Sequence, residues 1–310
     1  MRSRAFVIAA STAVLFIIHG SAMPIAAQKL ATRKEAAKPA DMLAVQVMLD
    51  RSRFSPGEID GKGGANTNRA IEAFERAKST TAAEAVAAMG VEATMAYGIT
   101  AEDEAGPFVA VPVDMMEKAN LKQLSYTSLV EALAERFHAS PSLLKRLNPS
   151  AKFTAGETIQ VPNVMPAPEP TSGAGIAIAV SKKTSALTLT DSTGAVIYHA
   201  PVTTGSEHDP LPIGEWTVTA IVRNPTFNYN PDLFWDADVT HAKAKLPPGP
   251  NGPVGQVWID LSKPHYGIHG TPEPSSVGHT SSHGCVRLTN WDANAVAALI
   301  GKGAKVTFSE

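Results

Sequence analysis

Cysteine is nearly absent from this chain: Cys285 is the only one in 310 residues. A lone cysteine cannot form an intramolecular disulfide, which excludes a fold held together by that kind of bond. The thiol is therefore a buried inert side chain, a metal ligand or a nucleophile.

An excess of charge of one sign is also lacking. The sequence has 27 Lys and Arg residues against 29 Asp and Glu residues, for a formal net charge of −2. Nothing in this near-neutral balance indicates a nucleic-acid partner. A length of 310 residues predicts two or three domains.

The apolar run near the N-terminus, residues 5–18, is shorter than the ~20 residues that a membrane span needs. Arg2 and Arg4 precede it, as in a secretory signal, and residues 25–27 offer a cleavage site. Residues 1–27 are therefore predicted to be a signal peptide, with an uncleaved membrane anchor as the alternative. The working part is expected outside the inner membrane, in the cell envelope and most simply the periplasm, where a single thiol favours a chemical role.

The sequence around the thiol favours a nucleophile. In an extended segment, alternate side chains share a face, so the two basic neighbours of Cys285 lie on its side and the apolar ones opposite. The segment is Ser282-His283-Gly284-Cys285-Val286-Arg287-Leu288. Gly284 lets the backbone approach a substrate closely. The basic face predicts a stabilised thiolate, with a pKa below the ~8.5 of a free thiol.

A second histidine, His269, lies upstream in Tyr266-Gly267-Ile268-His269-Gly270-Thr271. The turn-rich residues 272–281 are long enough to connect two strands and bring His269 beside Cys285. A nucleophilic thiol needs a base, and the base needs a group that orients it. We expect Cys285 to be the nucleophile, His269 the base and the Gly270 carbonyl the orienting group.

At these residues the chain resembles the L,D-transpeptidase family, with its YkuD-type catalytic domain. A His-Gly, a spacer and Ser-His-Gly-Cys followed by an apolar residue and Arg match the family pattern, and residues 176–309 form the predicted domain. The resemblance implies an acylated Cys285, His269 as general base and the Gly270 carbonyl beside it. It also implies an oxyanion and substrate surround, here His283, Gly284, Arg287, Ser282 and Tyr266.

The resemblance further implies a cysteine acyl-enzyme that acts on peptidoglycan stem tetrapeptides and releases D-Ala, without metal or cofactor. The acceptor amine belongs to another stem, giving a 3–3 cross-link, or to a wall-anchored lipoprotein. Water as acceptor would make the protein an L,D-carboxypeptidase. Acylation of Cys285 by carbapenems is also expected of a family member.

Other interpretations remain open from sequence alone. A zinc site would draw on His269, His279, His283 and Cys285, although their spacing fits no common pattern. Cys285 would otherwise be a small buried hydrophobe. A zinc amidase and a non-catalytic peptidoglycan-binding protein are the alternative functions.

The predicted fold is multidomain and mostly β in its C-terminal half. Short runs of period two separated by turns, from residue 176 onwards, predict an antiparallel, β-sandwich-like catalytic domain. One or two helices are expected, the clearest at residues 290–300, where Thr289 is the cap and Asp292 lies in the first turn. The aromatic-rich residues 223–235 are predicted either to line a substrate groove or to pack on one another.

Two small modules are predicted before this domain. Residues 41–80 resemble a helical peptidoglycan-binding module, with a helix over 67–78 whose Ala70, Ile71 and Phe74 face inward. Residues 122–162 resemble a βααβ LysM module, which binds N-acetylglucosamine polymers. Its strands are expected near 122–126 and 156–162, and its helices begin at Ser128 and Ser140. The Pro-rich residues 163–175 are predicted to be a linker that separates the modules from the catalytic domain.

Overall fold

The computed structural model describes residues 41–90, 92–164 and 175–310. The predicted signal peptide and residues 165–174 of the predicted linker lie outside this description. Within it, no helix is both long and apolar enough to cross a bilayer. The described residues fall into one compact unit, so the helical modules and the C-terminal half can be treated together.

An eight-stranded sheet forms the C-terminal half, in the order β11-β10-β9-β6-β12-β3-β4-β5. Its strands are β3 (Ala177–Ser181), β4 (Ala186–Thr190), β5 (Val196–Pro201), β6 (Gly214–Arg223), β9 (Val257–Leu261), β10 (Gly267–His269), β11 (Val286–Arg287) and β12 (Lys305–Ser309). The predicted mostly β fold is confirmed. Two neighbouring pairs, β12 with β3 and β10 with β11, are parallel, and the other pairs are antiparallel.

The core of this half lies between the sheet and one helix, α8 (Asn290–Leu299). Alternate strand residues such as Ile178, Val180 and Phe308 are buried, as period two requires. The predicted capping of α8 is confirmed, since Thr289 Oγ1 accepts from the Asp292 N–H at 3.1 Å and donates to Asp292 Oδ2 at 2.7 Å. The α8 helix ends at Leu299, one residue earlier than predicted.

Helices dominate the N-terminal half. They are α1 (Met42–Arg51), α2 (Ala65–Lys78), α3 (Ala82–Met89), α4 (Ala101–Ala105), α5 (Met115–Ala119), α6 (Leu129–Arg136) and α7 (Pro141–Leu147). The predicted helix over 67–78 is confirmed as α2, with Ala70 and Phe74 buried and Ile71 half-buried. Ser128 and Ser140 cap α6 and α7 as predicted, because each hydroxyl accepts a backbone N–H three residues on.

The predicted strand at residues 122–126 is wrong. Strand β2 (Thr158–Pro162) pairs in antiparallel fashion with β1 (Thr94–Gly98) instead. Leu124 is fully buried, and its backbone bonds to a loop of the C-terminal half: its N–H donates to Pro248 O at 3.0 Å, and its O accepts from Asn251 N at 2.9 Å. The long-range contact takes the hydrogen-bonding groups that a local strand pair would have used.

The helical half packs directly onto the sheet, and the two are not held apart as the linker had indicated. The Ser55 N–H donates to His199 O at 2.8 Å, and the His199 N–H donates to Arg53 O at 2.9 Å, so backbone hydrogen bonds join the α1–α2 connection to β5. The Asn66 amide of α2 also donates to Val277 O at 2.8 Å. This last contact reaches the loop that connects β10 to β11.

An aromatic insertion between β6 and β9 forms its own two-stranded sheet. Strand β7 (Phe227–Tyr229) pairs with β8 (Ala244–Leu246), and a short 3-10 helix, Pro231–Leu233, lies between them. A second 3-10 helix, Pro274–Ser276, interrupts the loop between β10 and β11. Tyr229, Leu246 and Leu124 share one small buried cluster.

Candidate active site

The two residues expected to do the chemistry lie at the ends of neighbouring strands. Strand β10 pairs in parallel with β11, with Ile268 opposite Val286 and His269 opposite Arg287. The Leu288 N–H donates to His269 O at 2.8 Å. Cys285 immediately precedes β11 and therefore shares the face of His269, whereas Ile268 and Val286 are fully buried on the other face.

His269 is held by the carbonyl predicted from sequence. Its Nδ1 lies 2.7 Å from Gly270 O. A carbonyl can only accept, so Nδ1 carries the proton and Nε2 has the lone pair. The ring stacks on Trp258, with 5.5 Å between centroids and 21° between planes.

The electrostatics of His269 favour the neutral imidazole. Burial is the main cause that lowers its pKa to about 4; the hydrogen bond with Gly270 acts in the opposite direction, and the charge of Arg287 adds to the lowering. At neutral pH the ring is therefore free to accept a proton at Nε2.

The environment of Cys285 corrects the expectation of a stabilised thiolate. Burial raises the pKa of the Cys285 thiol, and a hydrogen bond from the Gly267 backbone and the charge of Arg287 only reduce that effect. The Sγ lies 3.8 Å from His265 O, within reach of an S–H donor. The resting thiol and the imidazole are thus both uncharged, because desolvation of Cys285 outweighs the charge of its basic neighbours.

The turn before the thiol depends on glycine. Gly284 has φ of +96°, and a Cβ there would lie 2.8 Å from Tyr266 Cε1. The Tyr266 ring therefore rests against the Gly284 backbone. The Ser282 hydroxyl donates to Cys285 O at 2.5 Å, so this buried side chain shapes the turn. Among the described residues, none accepts the backbone N–H of Gly284 or Cys285.

The other predicted site residues lie around this turn. Arg287 is half-buried on the face of Cys285, and its strand is fixed on the far side by Thr203: each backbone N–H donates to the other's carbonyl, at 3.0 and 2.9 Å. His283 Nε2 lies 2.9 Å from Asp236 Oδ1.

The aromatic insertion reaches His283. The ring of Phe234 meets it edge-on at 5.3 Å between centroids, and Trp235 lies 6.2 Å away. Trp235 is 64 % exposed and stacks on His208 at 4.6 Å. Both sequence interpretations find support: the insertion contacts His283, and its rings also pack on one another, with 6.5 Å between the centroids of Phe227 and Tyr229 and 5.7 Å between those of Tyr229 and Phe234. Sequence reasoning missed Asp236 and His208, which carry no motif.

A metal centre is not assembled from the described residues. No group of three or more His, Cys, Asp or Glu side chains in that part of the chain is placed to hold an ion. The histidines considered for zinc have different surroundings: His269 bonds to Gly270, His283 to Asp236, and His279 lies 3.4 Å from the Asn66 amide.

The sequence is similar to several known proteins. A family model for the YkuD L,D-transpeptidase catalytic domain matches residues 175–307. YkuD of Bacillus subtilis (strain 168), named as an L,D-transpeptidase, is 31% identical over 190 residues, which cover 60% of this chain and 97% of that protein. YkuD of Bacillus licheniformis is 47% identical over 62 residues, or 20% of this chain and 38% of that protein.

Solved structures are more distant. L,D-transpeptidase 3 from Mycobacterium tuberculosis, in complex with a faropenem-derived adduct, has 16% sequence identity and a TM-score of 0.37. The match covers 51% of this chain and 76% of that one.

Proposed function

Because the chain belongs to the L,D-transpeptidase family, we propose that Cys285 is its acylated nucleophile and His269 its general base. The observation that carries this proposal is the position of His269 and the hydrogen bond that holds its ring. The Nδ1 of His269 lies 2.7 Å from Gly270 O. His269 ends strand β10, which pairs with β11, and Cys285 immediately precedes β11. This arrangement leaves Nε2 to serve the thiol.

Acylation proceeds with balanced proton movements. The Sγ–H proton passes to Nε2 of His269 as sulfur bonds to the carbonyl carbon at the third residue of the stem. The C–N bond to the terminal D-Ala then breaks, and the leaving amine takes the proton from His269. A thioester on Cys285 remains, and no metal or cofactor takes part.

Deacylation repeats these steps in reverse order. The acceptor amine attacks the thioester carbonyl and gives a proton to His269. The C–S bond breaks, and the departing sulfur recovers the proton.

The raised pKa of the Cys285 thiol sets the timing of the first proton transfer. Because burial keeps the thiol protonated, His269 must remove the proton while sulfur attacks the stem carbonyl, and no thiolate forms beforehand.

The oxyanion that forms during both steps needs donors. The backbone N–H groups of Gly284 and Cys285 are proposed for this role, since no described residue accepts them. The positive φ of Gly284 sets their direction. The removal of one such donor typically costs about 3–4 kcal/mol of transition-state stabilisation.

The substrate surround is assigned around the same turn. Arg287 supplies positive charge for an anionic stem peptide, and His283 lines the pocket with Phe234 and Trp235 of the insertion. Tyr266 and Ser282 support the turn from either side. Stem tetrapeptides of peptidoglycan are the proposed donors.

Two modules are proposed to keep the enzyme on the wall. Residues 41–80 and 122–162 would bind peptidoglycan and its glycan strands, on the sequence resemblances alone. The 163–175 segment would join them to the catalytic domain, 176–309. Export through the predicted signal peptide, residues 1–27, would place the protein in the cell envelope.

Purified muropeptides test this assignment and identify the acceptor. Disaccharide-tetrapeptide incubated with the full mature chain is expected to release D-Ala and give tetra–tri dimers with a 3–3 bond, both seen by mass spectrometry. Attachment of a lysine-bearing lipoprotein peptide would identify a protein acceptor. Disaccharide-tripeptide as the sole product would support the L,D-carboxypeptidase alternative, and no conversion would contradict both.

A further inference from the structure

The backbone that orients His269 rests on a side chain outside the residues assigned above. Asn290, the first residue of helix α8, is fully buried. A Cβ on Gly270 would lie 2.2 Å from Asn290 Oδ1, and a Cβ on Gly255 would lie 1.9 Å from the same atom. The Asn290 amide therefore lies against the peptide that carries the Gly270 carbonyl.

The Asn290 amide has one permitted orientation. Its Oδ1 accepts from the Gln256 N–H at 3.0 Å. Its Nδ2 donates to Pro250 O at 3.1 Å and to Glu135 Oε1 at 2.9 Å. A flipped amide would oppose donor to donor and acceptor to acceptor at all three contacts. Asn290 is thus fixed by its partners as well as by packing.

One of those partners comes from the helical half. Glu135 lies on α6, and its Oε1 also accepts from the Tyr126 hydroxyl at 3.2 Å. The Gln256 side-chain amide donates to that hydroxyl at 3.3 Å. The four side chains and the Gln256 backbone form a closed ring of hydrogen bonds that joins α6 to Asn290, and Asn290 packs against the peptide of Gly270.

We propose that Glu135 is a positioning residue for the transpeptidase reaction, acting through Asn290 and the Gly270 carbonyl on the orientation of His269. The proposal rests on the role assigned to His269 in the proposed function. It makes the helical region around α6 a part of the catalytic apparatus, in addition to any binding of the wall.

Two substitutions at Glu135 separate hydrogen bonding from charge. Glu135→Gln keeps an oxygen that accepts from Asn290 and Tyr126, so acylation near the native rate is expected. Glu135→Leu keeps the bulk but removes the acceptor. Because small misplacements of a catalytic group can slow a reaction by up to about a hundredfold, the maximal acylation rate is expected to fall about tenfold or more, with little change in the carbapenem concentration that gives half of it.

The hydrogen bond between Asn290 and Glu135 can be tested directly by exchanging its donor and its acceptor. Asn290→Asp keeps an acceptor for the Gln256 N–H but sets a carboxylate against Glu135 and Pro250 O, and a rate at or below that of Glu135→Leu is expected. The double variant Asn290→Asp/Glu135→Gln supplies an amide donor opposite the new carboxylate. A partial return of the rate, beyond the product of the two single effects, is expected.

Arg136→Ala is the matched control. Arg136 neighbours Glu135 on α6 and pairs with Asp103 at 2.5 Å, within the helical half. Its removal loosens the same helix without touching Asn290. We expect acylation by a carbapenem to stay near native in this variant, even where its melting temperature falls.

The experiment measures acylation rate against pH and melting temperature for the full mature chain and these variants. The proposal predicts a slow Glu135→Leu whose acid-limb midpoint moves up from the native value towards that of a solvated histidine, because a loosened His269 is less desolvated. Native rate and midpoint in Glu135→Leu, or equal slowing in Arg136→Ala, would overturn it. A native protein that no carbapenem acylates would instead contradict the proposed function.

Discussion

Replacing His269 by alanine is expected to slow acylation of Cys285 by about 10²- to 10⁴-fold, the usual contribution of a positioned general base. We expect a large effect because the pKa of the Cys285 thiol is raised, so that almost no thiolate is present at neutral pH without a base. Stopped-flow fluorescence or timed intact-mass analysis with a carbapenem measures the rate.

The pH profile of the native protein belongs to the same prediction. The pKa of His269 is lowered to about 4, so the imidazole is neutral above that pH and protonated below it. The acylation rate should therefore fall as pH drops through about 4, well below the ordinary histidine value of about 6.5. His269→Ala should lose this acid limb.

His279→Ala is the control for this substitution. His279 lies in the loop between β10 and β11, where its ring is near Asn66 and away from the strand pair. Its removal is expected to change the rate by no more than about twofold, as for most exposed substitutions. Equal slowing in both variants would show that acylation responds to any histidine substitution in this region, and it would contradict a specific role of His269 as base.

Replacing Gly270 by alanine is the second large expected effect. The added Cβ would lie 2.2 Å from Oδ1 of the fully buried Asn290, whose backbone Cα is only 3.3 Å away. Overpacking of this kind costs roughly 1–3 kcal/mol of folding free energy. It also displaces the carbonyl that holds His269, and a displacement near 1 Å can slow the reaction by about 10²-fold.

Gly301→Ala separates this local effect from a general loss of flexibility. A Cβ on Gly301 would meet nothing within 4 Å, so its stability and acylation rate should stay close to native. Chemical denaturation gives the first quantity and carbapenem acylation the second. Native acylation in Gly270→Ala would contradict the role of this carbonyl.

The contact between His269 and Gly270 was predictable because it is local. The two residues are adjacent, and the motif that contains them fixes which groups face each other. The alternation that buries Val286 and turns Cys285 to the opposite face was predictable for the same reason, since a period of two needs only the neighbouring residues. The helix capped by Thr289 is a third case, because a helix cap involves only residues within one turn of each other.

The errors come from interactions between distant residues. A strand at 122–126 was expected from local pattern, but Leu124 bonds to Pro248 and Asn251, which lie more than a hundred residues away. The pKa of Cys285 was expected to fall because its neighbours are basic. Burial by the rest of the fold raises the pKa of Cys285 instead.

The roles of Asn290 and Glu135 could not be predicted from the sequence for a related reason. An asparagine after a helix cap is ordinary, and a glutamate within an amphipathic helix normally faces solvent. Their importance follows from the docking of the helical half on the sheet, which brings residues 155 positions apart within 2.9 Å. Proline-rich composition had instead indicated separate modules.

The most direct test of the central claim is intact-mass analysis of the full mature chain after incubation with a carbapenem, beside Cys285→Ala. Cys285 is the only cysteine in the sequence, so a thioester has a single possible site. A mass gain of one drug molecule is expected on the native protein and none on the variant. An unmodified native protein, or an adduct that survives in Cys285→Ala, would contradict it.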